Sequence, residues 1–313
     1  MLKQNLHYFN KSIKIKENFL DNYYMFPDWD TKISEYIERS KELQELLTTI
    51  KVLGENNDKN LESYFYKLQE KMDKLSTKTE FGGFINACDC NQESIFKKEN
   101  LEILKLIVNL YLEKRSICNT TPKEWIQCLI DKGSSRKKGG SGERKILDLG
   151  KKEGFLIVKN WEEFKTNKKV ICKFSKGRFD IKGIKKELNI DLEFNNQNKM
   201  LDVIIKNNNK YIFIEAKHMS LSGGGQNKQI LELISILRKK NKNKDVMYGC
   251  FFDGMHSNEL LNISEKEIKN PALITGQDKV VAQKTDLIES LKENKNSFWF
   301  NTAGIKYFLK DFN

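Results

Sequence analysis

Leu201-Asp202-Val203-Ile204-Ile205-Lys206-Asn207-Asn208-Asn209-Lys210-Tyr211-Ile212-Phe213-Ile214-Glu215-Ala216-Lys217 is the stretch whose reading decides the fold. Two runs of Val, Ile, Phe and Tyr flank an Asn-Asn pair. β-Branched and aromatic residues suit a pleated, half-buried surface, and Asn tolerates the positive φ of a two-residue hairpin turn. The stretch therefore reads as a β-hairpin looped at Asn208-Asn209. Counting outward from that loop pairs Asn207 with Lys210 and sets Asp202 directly opposite Glu215. Opposed residues share a face, with Cβ atoms about 4.5–5.5 Å apart. Lys217, two residues beyond Glu215, falls on that face too. A bulge would shift this register by one residue.

Two opposed carboxylates inside apolar strands repel each other and are costly to bury. A hard divalent cation relieves the repulsion, because carboxylate oxygens are what Mg²⁺ prefers. A lysine beside such an ion can orient or deprotonate a water, or stabilise charge developing on a phosphate. A plain edge hairpin with a surface salt bridge is the alternative reading. Glu-x-Lys alone separates nothing, since Glu267-Ile268-Lys269 and Glu293-Asn294-Lys295 also fit it and read as solvated helix faces. Glu215 and Lys217 differ by context: they end an apolar strand, face an acid and precede a glycine-rich loop.

Outward from the hairpin, further strands are expected at 155–158, 170–174, 246–252 and 297–300. Helices are expected from Glu143 to about Glu153, from Gln226 to about Lys239 with Ile230, Leu233, Ile234 and Leu237 on its apolar side, and around Lys284–Glu293. The order of helix, strands, helix and strand predicts an α/β arrangement around a mixed sheet. Residues 1 to about 130 read as helical: Tyr36, Ile37, Leu43, Leu46, Leu47 and Ile50 recur at helical spacing, as do Leu61, Tyr64, Phe65 and Leu68, and Ile103, Leu104, Ile107, Leu110 and Tyr111. The expected division is a helical region at 1–130, serving dimerisation or DNA recognition, and a second domain at 131–313.

The chain has 313 residues, with 55 Lys+Arg against 43 Asp+Glu and a formal net charge of +12. That length is ample for a core. The charge favours a polyanionic partner, nucleic acid before anionic membrane, unless it reflects a Lys/Asn-rich coding bias. No apolar run reaches the roughly 18–20 residues that span a bilayer. The first residues hold no apolar signal core, so a cytoplasmic protein is expected. The six Cys are scattered, and reduced thiols are expected of them. Cys88, Cys90, Cys118 and Cys128 match no standard zinc spacing.

Asp202, followed by Glu215-Ala216-Lys217 at the end of the next strand, resembles the active site of the PD-(D/E)xK nuclease superfamily, and more narrowly that of type II restriction endonucleases. The basic run Lys132–Gly142 leads into a helix bearing Glu143, where family members often place an auxiliary acid. Gly223-Gly224-Gly225-Gln226-Asn227-Lys228-Gln229 resembles the loop and helix after the catalytic lysine, and Phe251-Phe252-Asp253-Gly254 ends the following core strand. The resemblance covers about residues 132–255, and it departs from the motif at Leu201, where the family often has Pro. It implies a restriction-endonuclease-like mixed sheet flanked by helices. It implies Asp202, Glu215 and the Ala216 carbonyl as Mg²⁺ ligands, with Mn²⁺ able to substitute, and Lys217 positioning the attacking water. Glu143 is either a further catalytic acid or an ordinary helix-start acid.

Asp180, Asp191 and Glu193 compete with Asp202 for the metal role, and Asp253 before Gly254 reads as a turn residue. His218 points away from the Lys217 face and is not read as catalytic. Arg136, Lys137 and Lys138 sit on glycine-rich backbone suited to phosphates. Gln226, Lys228 and Gln229, at a helix start, are candidate DNA contacts, since Gln reads adenine; capping or solvent exposure is the plain alternative.

The expected function is Mg²⁺-dependent, site-specific cleavage of unmethylated double-stranded DNA within a restriction–modification system. The partners expected are duplex DNA, a second copy in a homodimer and, functionally, a cognate DNA methyltransferase. A repair or recombination nuclease of resolvase or nicking type, and a non-catalytic basic DNA-binding protein, are the competing readings.

Overall fold

A computed structural model describes residues 2–25, 33–74, 79–90, 92–117, 123–133, 140–192, 201–220 and 224–312. The chain forms two compact units, Met1–Met25 with Lys138–Asn313, and Phe26–Lys137. The expected division was 1–130 and 131–313; the units found divide at Lys137/Lys138, and the first 25 residues belong with the second half. Helix α1 (Asn5–Lys14) shows why. Asn5 Nδ2 donates to the carbonyls of Leu291, Asn294 and Ser297 at 2.7–3.0 Å, and Asn301 Nδ2 donates to those of Ser12 and Ile15. These side-chain bonds join residues nearly the whole chain apart, which helical spacing cannot reveal.

The other unit is helical: α2 (Ile33–Glu55), α3 (Leu61–Lys74), α4 (Glu80–Ala87), α5 (Gln92–Ile95), α6 (Leu101–Lys114) and α7 (Lys123–Gly133). Its core holds Leu43, Leu47, Ile50, Phe65, Leu68, Leu104, Ile107 and Tyr111, as the spacing predicts. On α6 the inward stripe runs through Leu101, Leu104, Val108 and Tyr111, so Ile103 and Leu110 are exposed instead of buried.

The larger unit continues with α8 (Ser141–Lys152), β1 (Leu156–Ile157), α9 (Trp161–Thr166), β2 (Lys169–Lys173), α10 (Ile181–Leu188), β3 (Val203–Asn207), β4 (Lys210–His218), α11 (Gly224–Leu237), β5 (Val246–Asp253), α12 (Met255–Leu260), α13 (Glu265–Lys269), α14 (Asp278–Glu293), β6 (Ser297–Phe300) and α15 (Thr302–Asp311). The strands form one six-stranded sheet in chain order. β1–β2, β4–β5 and β5–β6 are parallel, while β2–β3 and β3–β4 are antiparallel. The sheet is mixed, as expected. β5 is buried along its whole length, which suits a near-continuous apolar run covered on both faces.

Two cores flank the sheet. On one face Ile204, Phe213, Cys250, Phe252 and Trp299 meet Ile230, Leu233, Ile234 and Leu237 of α11. On the other Ile171, Val203, Ile214 and Phe251 meet Ile146 and Leu149 of α8 and Phe308 of α15. The alternation along β4 therefore decides which side chains face α11 and which face α8. Among the described residues no helix is long and apolar enough to cross a membrane.

Candidate active site

The hairpin register is the expected one from the turn outward: Asn207 pairs with Lys210, Ile205 with Ile212 and Val203 with Ile214. Asn208 takes the positive φ, 52°, that the turn demands. At the mouth the ladder departs from the expectation. Asp202 N–H donates to the Ile214 carbonyl at 2.9 Å, so Asp202 does not continue the pairing opposite Glu215. Its side chain supplies the reason. Asp202 Oδ2 accepts the Ala216 N–H at 2.7 Å, and a carboxylate thereby stands in for the next backbone acceptor.

The displacement keeps the acids together electrostatically. Burial first, then the charge of Glu215, pushes the Asp202 carboxyl up to about 7; Glu143 adds to the rise, while the Ala216 N–H bond and Lys217 oppose it. Glu215 is only 3 % exposed. Lys217 Nζ donates to Glu215 Oε1 at 2.6 Å and lies 3.9 Å from Glu232 of α11. Burial disfavours the Lys217 ammonium, yet its bond to Glu215 and the surrounding carboxylates outweigh burial and raise it above the ordinary lysine value. Lys217 is thus a held cation here, and a poor base until the negative charge around it falls.

Glu143 reaches the site because α8 lies very close to the sheet. A Cβ on Gly150 would come within 2.8 Å of Ile171 Cδ1, and one on Gly142 within 3.4 Å of Ala216 Cβ. A side chain at Gly150 would have to push the Ile171 side chain aside. The helix begins at Ser141, two residues before the expected start, so Glu143 lies in its first turn. Its carboxylate pairs with Lys173 at the end of β2. Glu143, Asp202 and Glu215 do not form a group whose oxygens all lie within 4.8 Å of one another; Lys173 and Lys217 hold two of the three.

The competing acids have other roles. Asp180 caps α10, accepting from Gly183 N at 2.8 Å, and that bond comes first among the causes holding its carboxyl below the usual range. Asp191 is an exposed partner of Lys185. Glu193 lies outside the described residues, as do Arg136, Lys137 and Lys138. α11 begins at Gly224, ahead of Gln226, whose side chain is not among those described. Lys228 and Gln229 are exposed on its first turns. Glu267 forms a capping box with Ser264, and Glu293 and Lys295 are exposed around the end of α14.

Asp253 corrects the sequence reading. It is not a turn acid but a fully buried charge, 0 % exposed. It accepts from Tyr24 Oη at 2.8 and 3.0 Å, from Lys145 Nζ at 2.8 Å, and meets His218 Nδ1 at 3.0 Å. Glu17, Asp21 and Asp253 gather to within 4.8 Å. Lys145, 3 % exposed, already stands among them, at 2.5 Å from Asp21 and 3.7 Å from Glu17. An ammonium in that position supplies the charge that a cation would otherwise bring. Lys145 carried a faint signal in sequence, as a cation on the apolar side of α8 between Glu143 and Ile146. Tyr24, Glu17 and Asp21 carried none, because their partners lie more than a hundred residues away.

Models of known protein families, curated proteins and solved structures offer no match to this chain.

Proposed function

We propose that this protein is a Mg²⁺-dependent endonuclease that cuts unmethylated double-stranded DNA at defined sites, a type II restriction enzyme with a PD-(D/E)xK centre. The observation that carries the reading is the mouth of one hairpin, where Asp202 accepts the Ala216 N–H at 2.7 Å and Lys217 donates to Glu215 at 2.6 Å, with Glu143 in the first turn of α8. The succession of α8, the β2–β3–β4 meander, α11 and β5 supports it, since the resemblance calls for an acid-bearing helix, a hairpin and a helix leading to a further core strand.

The donor set suits a hard divalent cation. Carboxylate oxygens line a buried strand end, where burial first, then the charges of Glu215 and Glu143, pushes Asp202 toward its protonated form. Asp202, Glu215 and the Ala216 carbonyl would hold Mg²⁺ or Mn²⁺, with Glu143 as auxiliary acid. The ion supplies Lewis acidity at the phosphoryl oxygen and a lowered pKa for water. The chain does the rest. The Ala216 N–H fixes Asp202. Lys217, released from Glu215, orients the attacking water. Lys173, released from Glu143, meets a phosphate. The products are a 5′-phosphate and a 3′-hydroxyl.

The net charge of +12 favours DNA as the partner. A palindromic site calls for a two-fold homodimer, and a cognate methyltransferase would protect the host's own sites. Asp202→Asn and Lys217→Ala test the reading. Each should lower cleavage by about 100-fold or more while leaving DNA affinity in place. Cleavage surviving both substitutions removes this site from the chemistry.

A further inference from the structure

We propose that Tyr24, Asp253 and His218, with Lys145, form a positioning clamp that fixes the catalytic end of β4 and ties it to the Asp21–Tyr24 segment and to α8. The role in cleavage rests on the nuclease reading; the clamp itself rests on geometry. The Asp21–Tyr24 segment and α8 both belong to the sheet-bearing unit. The two are bonded to each other. Asp21 Oδ2 accepts from Lys145 Nζ at 2.5 Å, Tyr23 Oη donates to Asp148 Oδ2 at 3.1 Å, and Arg144 Nη2 donates to the Tyr23 carbonyl at 3.4 Å.

Tyr24 and Lys145 also converge on the strand end that carries the candidate chemistry. Asp253 is the last residue of β5 and pairs in register with His218, the last residue of β4. The Tyr24 ring stacks on the His218 ring, with centroids 3.5 Å apart and planes at 15°. Tyr24 Oη lies 3.3 Å from the position of a Cβ on Gly142, and that same position is 3.4 Å from Ala216 Cβ. Ala216 and His218 thus lie on the α8 face of β4, and Glu215 and Lys217 on the other. The clamp holds the strand from behind.

Stability alone does not explain such a network. A buried ion pair is commonly no better than well-packed apolar residues, because desolvation consumes most of its attraction. What a fully bonded network does supply is fixed geometry. Here it fixes His218, the residue next to Lys217. Small misplacement of a reacting group is enough to lose about 100-fold in rate.

The test compares the full chain with Tyr24→Phe, which removes the hydroxyl and keeps the stack, and with His218→Phe, which keeps the stack and removes the bond to Asp253. Three quantities are read: single-turnover cleavage at saturating protein, DNA affinity, and amide hydrogen exchange of residues 215–218. The clamp predicts cleavage slowed about tenfold or more, DNA affinity within about twofold, and faster exchange at 215–218 in both variants. Unchanged cleavage and unchanged exchange overturn it. So does a rate loss that tracks the fraction of folded protein. A wild-type chain that cuts no DNA defeats the nuclease reading instead, and the exchange comparison then decides the clamp on its own.

Discussion

The Ala216 N–H donates to Asp202 Oδ2 over 2.7 Å, so the carboxylate is locked against the strand that carries Glu215 and Lys217. Burial and the charges of Glu215 and Glu143 push that carboxyl up to about 7 despite the bond. A raised carboxyl binds its proton more tightly in the folded chain than in the unfolded one. Stability from this group is therefore greatest in acid and declines as pH rises from near 4 through 7. Asp202→Asn should remove that decline. With EDTA present, the variant should exceed wild type in urea unfolding at pH 8, by on the order of 1–3 kcal/mol, and differ little at pH 4. An equal difference at both pH values contradicts the electrostatic account.

Mg²⁺ affinity should follow the same proton. Asp202 must be ionised to ligate, so affinity measured by titration calorimetry should rise as pH rises toward about 7 and then level off. Asp202→Asn should flatten the profile and abolish most of the binding.

Lys173 competes for Glu143. Lys173 is exposed and Glu143 largely covered; a pair of this kind is worth on the order of 1 kcal/mol, so Lys173→Ala should tighten Mg²⁺ binding by roughly fivefold. Unchanged binding in the variant would mean that Glu143 takes no part in holding the ion.

Lys145 stands among Asp21, Asp253 and Glu17 with almost no access to water. Lys145→Met leaves buried carboxylates uncompensated and should cost about 3–5 kcal/mol. The loss should shrink in acid, where Glu17, held above the usual carboxylate range by burial, takes up a proton. Urea unfolding at pH 5 and 8 checks both statements.

The hairpin was legible in sequence because its information is local. Asn208-Asn209 sets the turn, the apolar runs set the strands, and β3 and β4 pair outward from Asn207 and Lys210 as counted. The site followed as far as that ladder extends. It ended at Asp202, where a side chain took the Ala216 N–H and shifted the mouth by one bond. Glu143 was named only through the family resemblance; that α8 approaches the sheet closely at Gly142 and Gly150 is visible only in the structure. The network of Tyr24, Lys145, His218 and Asp253 was not. Its partners come from the segment after α1, from α8, β4 and β5, distant parts of the chain, and Asp253-Gly254 looks like any strand-ending turn. The placement of α1 against Asn294 and Asn301 was missed for the same reason.

The most direct test of the central claim is to incubate the purified chain with unmethylated phage DNA, once with Mg²⁺ and once with EDTA. The account predicts discrete fragments with Mg²⁺ and intact DNA with EDTA, the fragment ends giving the recognition site. A smear or single-strand nicks would point to a repair or recombination nuclease instead. Intact DNA with both Mg²⁺ and Mn²⁺, on several substrates, would contradict the account and leave Asp202, Glu215 and Lys217 as a buried charge cluster in a basic DNA-binding protein.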